Sequence, residues 1–193
     1  MNKNICIFGD SVTRASFIKD SWVNLLSQFL IKKYSGDDIE VFNLGINGDN
    51  SKDIVKRFGL EAKCRKPQDI IFAFGINDSS FQDEKQTVNE VSFKKNVLTL
   101  IKQAKKITDK IYFIGLVLGH KRWLEAGLMK FIMPSYSIQK AKQYDSIIKQ
   151  IAQENNCIYI YLMDKLDDND FIDGLHPNIT GHKKMFSEIK KYF

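Results

Sequence analysis

Cysteine, proline and arginine are all scarce in this chain, and each shortage excludes something. Three cysteines and three prolines occur in 193 residues, with eleven glycines. Cys6, Cys64 and Cys157 are odd in number, far apart and without CxxC spacing, so neither a disulfide framework nor a zinc or redox motif is present. Two of them stand in apolar, strand-like runs, where a reduced thiol packs as a small hydrophobe. Little glycine and proline excludes fibrous and low-complexity chains. No stretch approaches the ~20 apolar residues of a membrane span. The apolar run after Met1–Asn4 is too short for the core of a signal peptide. The expectation is a reduced, cytoplasmic protein without a membrane span.

What the chain does have is a core. Hydrophobic residues make up 44% and aromatic residues 12% of it, which excludes intrinsic disorder. At this length about 70% of the unfolded surface can be buried, so residues 1–193 are expected to form a single domain without help from metals or disulfides. The formal charge of +6 is carried mostly by lysine, because Arg14, Arg57, Arg65 and Arg122 are the only arginines. The lysines sit among acids in helix-like segments such as Glu188–Lys191. This reads as a solvated surface rather than a nucleic-acid footprint.

Apolar periodicity alternates between strand and helix along the whole chain. Strands are expected at Asn4–Phe8, Ile39–Leu44, Asp69–Phe74, Ile111–Leu118 and Cys157–Leu162. Helices are expected at Ser21–Tyr34, Lys52–Lys63 (with Ser51 as cap), Val88–Lys106, Ser137–Glu154 and Ile179–Tyr192. Such alternation calls for a mostly parallel sheet covered on both faces, with ligands bound beyond the carboxyl ends of the strands.

Those ends carry chemistry. Gly9-Asp10-Ser11 follows the first strand, Asn43-Leu44-Gly45-Ile46-Asn47-Gly48-Asp49 the second, and Gly75-Ile76-Asn77-Asp78 the third. An acidic loop closing on Asp173-Gly174-Leu175-His176-Pro177-Asn178 follows the fifth. A serine needs an imidazole to take its proton, and Asp173 can fold back to hold the His176 Nδ1–H. Backbone N–H groups of Ser11 and Gly48 and the Asn77 amide are candidate donors to a developing oxyanion, each worth about 10²–10³ in rate. Singly, Ser11 reads as a cap, Gly48 as a turn glycine, Asn77 as an Asx turn and His176 as a loop histidine. Four strand ends supplying compatible parts favour acyl transfer.

The four segments, in this order, resemble the blocks of the SGNH hydrolases, also called the GDSL esterase/lipase family. Gly9-Asp10-Ser11 matches the first block, although Val12 replaces the usual Leu or Ile. Gly48 matches the oxyanion glycine of the second, Gly75-Ile76-Asn77-Asp78 the third, and Asp173–His176 the D-x-x-H of the last. The resemblance implies a flavodoxin-like, three-layer α/β/α sandwich with a five-stranded parallel sheet in the order 2-1-3-4-5. It implies Ser11 as nucleophile, His176 as base, Asp173 as its orienting acid, and Ser11, Gly48 and Asn77 as the oxyanion hole, with no metal or cofactor.

Competing motifs fail. Thr13 occupies the second glycine of G-x-S-x-G, and no phosphate-binding glycine loop occurs. Aligning Gly174 with the EF-hand glycine puts Phe171 at the third ligand position and Thr180 where Glu is required, so the acidic loop Asp167–Asp170 reads as a solvated approach to Asp173. The chain departs from its relatives at Leu118–Pro134, an apolar insert read as a lid or acyl-binding wall, or else as core packing. Asp10, His120 and Trp123 stand as candidate substrate contacts, with an exposed loop the alternative for His120, while His182 reads as structural or solvent-facing. The expected activity is hydrolysis of a small ester, an acetyl or short acyl group that a carbohydrate could carry. The alternatives are acyl transfer on the same triad and non-catalytic ligand binding on the same scaffold.

Overall fold

In the computed structural model, residues 3–34, 38–82, 84–117 and 135–193 are described. The 118–134 insert, with its His120 and Trp123, lies outside them, so its reading as a lid or wall is not addressed.

The chain runs β1 (Lys3–Gly9), α1 (Ser11–Arg14), α2 (Trp22–Lys33), β2 (Ile39–Gly45), α3 (Ser51–Arg65), β3 (Asp69–Ala73), β4 (Phe81–Gln82), β5 (Lys85–Gln86), α4 (Glu90–Ala104), β6 (Ile111–Ile114), α5 (Ile138–Glu154), β7 (Ile158–Ile160) and α6 (Ile179–Ile189). A five-stranded parallel sheet has the order β2-β1-β3-β6-β7. Counted among these five strands alone, that is the expected 2-1-3-4-5. The unanticipated ladder β4–β5 shifts the numbering.

Alternation along the strands builds the three layers, because successive side chains leave a strand on opposite faces. Cys6, Phe8, Ile70, Phe72 and Phe113 point to one face and meet Phe58, Phe93, Val97, Tyr144 and Ile148 of α3, α4 and α5. Ile5, Ile7, Ile71, Tyr112 and Ile114 point to the other and meet Trp22, Leu26, Leu30 and Met185 of α2 and α6. Among the described residues, no helix is long and apolar enough to cross a membrane.

Several local expectations need correction. Asn50, not Ser51, caps α3, its side chain accepting from the N–H groups of Lys52 and Asp53. Strands β6 and β7 are shorter than their apolar runs, and α6 gives way to a 3₁₀ turn at Lys190–Tyr192. The acidic segment is solvated, as expected, at Asp167, Asp168 and Asn169, but Asp170 is buried. The segment forms a 3₁₀ turn with a capping box, and buried Asp170 and exposed Asp167 both accept from Lys184 Nζ at 2.6 Å.

Candidate active site

The carboxyl end of β1 is shaped by what cannot fit there. A Cβ at Gly9 would lie 2.1 Å from Thr13 Oγ1 and 2.6 Å from the Ala73 carbonyl. Glycine therefore lets the chain turn sharply into α1 against β3. Asp10 caps that helix, its Oδ1 accepting from the Val12 N–H at 3.0 Å. Ser11 follows as the first helical residue, so its own N–H has no acceptor within the helix. The end of β2 grips the same turn. Asn43 Nδ2 donates to the Thr13 carbonyl at 2.9 Å, and a Cβ at Gly45 would sit 2.4 Å from the Arg14 nitrogen.

A groove of about 300 Å³ opens beside Ser11, and the loop between β7 and α6 that helps to line it turns back at Gly174, whose φ is +84°. It is pinned by a bridge between Phe171 and Pro177 and by the Ile172 N–H donating to the His176 carbonyl at 2.8 Å. Asp173 Oδ1 accepts from the N–H groups of Leu175 and His176, at 3.0 and 2.8 Å. Its Oδ2 lies 2.6 Å from His176 Nδ1, and His176 Nε2 lies 2.8 Å from Ser11 Oγ. With Nδ1 donating to the carboxylate, Nε2 is left as the acceptor for the serine hydroxyl.

The electrostatics agree with that polarity. Burial raises the Asp173 carboxyl, but the hydrogen bonds from the His176 ring and from the two backbone N–H groups outweigh it and bring it to about 2. The Asp173 hydrogen bond raises the His176 imidazole above its ordinary value, against the opposing effect of burial. Asp10 is 2% exposed and faces inward as a cap, not along the groove wall expected of a substrate contact. Burial pushes its carboxyl, and that of Asp78, up to about 7.

Gly48 and Asn77 arrive from β2 and β3. Gly48 is exposed at φ +80°, a left-handed backbone that favours glycine. The Asn77 amide is fixed from both ends, with Nδ2 donating to the Asp49 carbonyl at 2.9 Å and Oδ1 accepting from Tyr136 O–H at 3.0 Å. An amide nitrogen has two hydrogens, so this leaves one N–H beyond the Asp49 bond.

Sequence reasoning missed several residues. Arg57 Nε donates to Asp49 Oδ2 at 2.7 Å, and Nη2 donates to the Leu44 and Gly9 carbonyls at 2.8 and 3.3 Å. One guanidinium thus ties together the ends of β1 and β2 and the loop carrying Gly48. Arg57→Met is expected to destabilise the fold by about 3–5 kcal/mol, since it strands a largely buried Asp49 carboxylate; urea unfolding measures this. Asp78 accepts from the Ser51 N–H with both oxygens at 3.0 Å. His182, expected to be structural or solvent-facing, is buried and lines the groove. The Trp22 N–H donates to its Nδ1 at 3.3 Å, and burial lowers it to about 4. His182 stands alone on α6, with no motif around it to point to this position.

The raised Asp78 carboxyl has a pH consequence. Its folded value of about 7 exceeds an unfolded value near 3.9, so the folded state holds the proton more tightly. The resulting stability is complete below about pH 4 and declines as pH rises toward 7. Asp78→Asn keeps an acceptor for Ser51 but does not titrate. Its melting temperature is expected to fall less than that of the wild type between about pH 5 and pH 8, which thermal melts across that range check.

A parallel sheet covered on both faces, with a serine, a histidine and an aspartate hydrogen-bonded at its carboxyl edge, defines an α/β enzyme of the ester-hydrolase type. The chain belongs to the GDSL-like lipase/acylhydrolase family, which matches residues 7–184, and it is a carboxylic ester hydrolase. It is 25% identical over 205 residues to the isoamyl acetate-hydrolyzing esterase 1 homolog of Mus musculus, covering 96% of this chain and 79% of that protein. Among solved structures, the acetylxylan esterase Axe2 of Geobacillus stearothermophilus superposes with a TM-score of 0.79 at 20% identity, covering 98% of this chain and 93% of that one. The lipase/acylhydrolase of Enterococcus faecalis gives 0.78 at 21% identity, covering 98% and 94%. At these identities the structural likeness is one of fold.

Proposed function

We propose that the protein hydrolyses a small carboxylic ester with an acetyl or short acyl group through an acyl-enzyme on Ser11. The observation that carries this reading is the continuous hydrogen-bonded line from Ser11 Oγ through His176 to Asp173. Ser11 Oγ attacks the carbonyl carbon while His176 Nε2 takes its proton. Asp173 holds the imidazole in the required tautomer and stabilises the imidazolium. The carbonyl oxygen gains negative charge facing the Ser11 and Gly48 N–H groups and the remaining Asn77 Nδ2–H. The C–O bond to the alcohol then breaks, and His176 returns the proton to the departing oxygen. Water repeats the sequence on the acyl-enzyme and releases the acid.

Isoamyl acetate and acetylxylan, the esters for which two of the similar proteins are named, share an acetyl group, which supports a short acyl half. The test is a series of p-nitrophenyl esters of increasing acyl length, together with labelling by a fluorophosphonate. Fast turnover of the acetyl ester and stoichiometric labelling of Ser11 are expected. Absence of both would overturn the short-acyl, Ser11 acyl-enzyme reading. Adding an alcohol acceptor and recovering transferred acyl product in place of free acid would move the assignment to acyl transfer.

A further inference from the structure

We propose that the groove on the His176 side of Ser11 receives the alcohol half of the ester, and that this half is an uncharged aliphatic or aromatic group held between Phe17 and Ile172. The inference rests on the catalytic reading above and names its substrate class.

The position of the alcohol follows from the proton it must receive. The departing oxygen has to come within hydrogen-bond reach of the nitrogen that took the serine proton. That nitrogen, His176 Nε2, is 2.8 Å from Ser11 Oγ, so the alcohol leaves along the side of Ser11 that His176 occupies. On that side lies a groove of about 300 Å³, lined among others by Ser11, Ala15, Phe17, Ile18, Ile172 and His176. This is the small end of the ~300–1,000 Å³ typical of ligand pockets.

The lip of the groove is apolar without being packed. Phe17 is 97% exposed and Ile172 60% exposed. They come from separate segments, one between α1 and α2 and one in the loop that carries Asp173 and His176, yet they line the same groove. Large apolar side chains left in water beside reacting groups give an apolar ligand something to cover.

The polar lining fits other alcohols poorly. Beyond Ser11, His176 and Asp173 it consists of Ser16, Asn47 and His182. The His182 Nδ1 is occupied by the Trp22 N–H, and the Asp173 oxygens by His176 and Leu175. Among the described residues no lysine, arginine or glutamate lines the groove. Among the described residues, a phosphorylated alcohol finds no cation there and a cationic alcohol no free carboxylate. For the several hydroxyls of a sugar, the described lining beyond the triad and His182 offers only the Ser16 and Asn47 side chains as directional partners.

The test holds the acyl half constant. Methyl, butyl, hexyl and benzyl acetate, acetylcholine and a mono-acetylated xyloside are compared by kcat/KM. The expected result is a climb of at least about 10-fold from methyl to hexyl, with benzyl acetate close to hexyl. Acetylcholine and the xyloside should be poor substrates. Phe17→Ala and Ile172→Ala should each flatten the climb by about 10-fold, through KM with kcat nearly unchanged, as loss of uniform binding requires. Phe17→Leu should recover part of it. Leu60→Ala, an exposed apolar residue of α3 outside the groove, should keep the wild-type slope. Ser11-dependent turnover with a flat chain-length profile, or preference for the xyloside or acetylcholine, would overturn this inference alone. Turnover that survives Ser11→Ala would overturn the catalytic reading and this one with it.

Discussion

Ser11→Ala is expected to lower kcat for ester substrates by about 10⁵–10⁶-fold, with a stability change within about 0.5 kcal/mol. In the proposed mechanism the hydroxyl both forms the acyl bond and supplies the proton that His176, 2.8 Å away, accepts. Without it, what remains is the oxyanion donors acting on water, worth roughly 10³–10⁴ over the uncatalysed reaction. The fold should tolerate the change, because Asp10 rather than Ser11 caps α1 and the Ser11 N–H stays in place. Steady-state rates on p-nitrophenyl acetate, paired with a thermal melt, check both halves of the expectation. A loss below about 100-fold in a folded variant would remove Ser11 from the chemistry.

Strand faces were legible because burial on both sides forces apolar residues at every position, as in Ile5–Phe8 and Ile70–Phe72. The D-x-x-H segment was legible because Gly174 between the two residues announces a chain that turns back on itself. The positions of residues acting across the fold were not. Arg57 sits on α3 and reads there as one more solvated charge, yet its partners Gly9 and Leu44 lie 48 and 13 residues away. Tyr136 has no motif, and its bond to Asn77 spans 59 residues. Asp10 stands beside the serine in sequence and so looks like a substrate contact, but helix geometry turns its carboxylate back to cap α1. Phe17 poses the reverse difficulty. Apolar residues are expected inside, and only the structure shows this one in water beside Ser11.

Asp173→Asn is expected to lower kcat by about 10⁴-fold at neutral pH and to move the acidic limb of the pH–rate profile. Asparagine can still accept the Leu175 and His176 N–H bonds through its oxygen, so the loop should keep its shape. What it cannot keep is the negative charge facing His176 Nδ1 at 2.6 Å. An amide nitrogen presented there would favour the tautomer in which Nε2 bears the hydrogen, the wrong one for accepting the serine proton. The direction of the pH effect follows from the imidazole. The Asp173 hydrogen bond raises it above its ordinary value, and a base in the proposed role must be neutral, so wild-type activity is expected to fall as pH drops through that raised value. Removing the carboxylate removes the largest cause of the rise, so the remaining activity of Asp173→Asn should persist to lower pH than that of the wild type. Profiles of kcat/KM report the free enzyme and are the measurement to use. An unmoved acidic limb together with a loss under about 10-fold would leave Asp173 as a loop brace and no more.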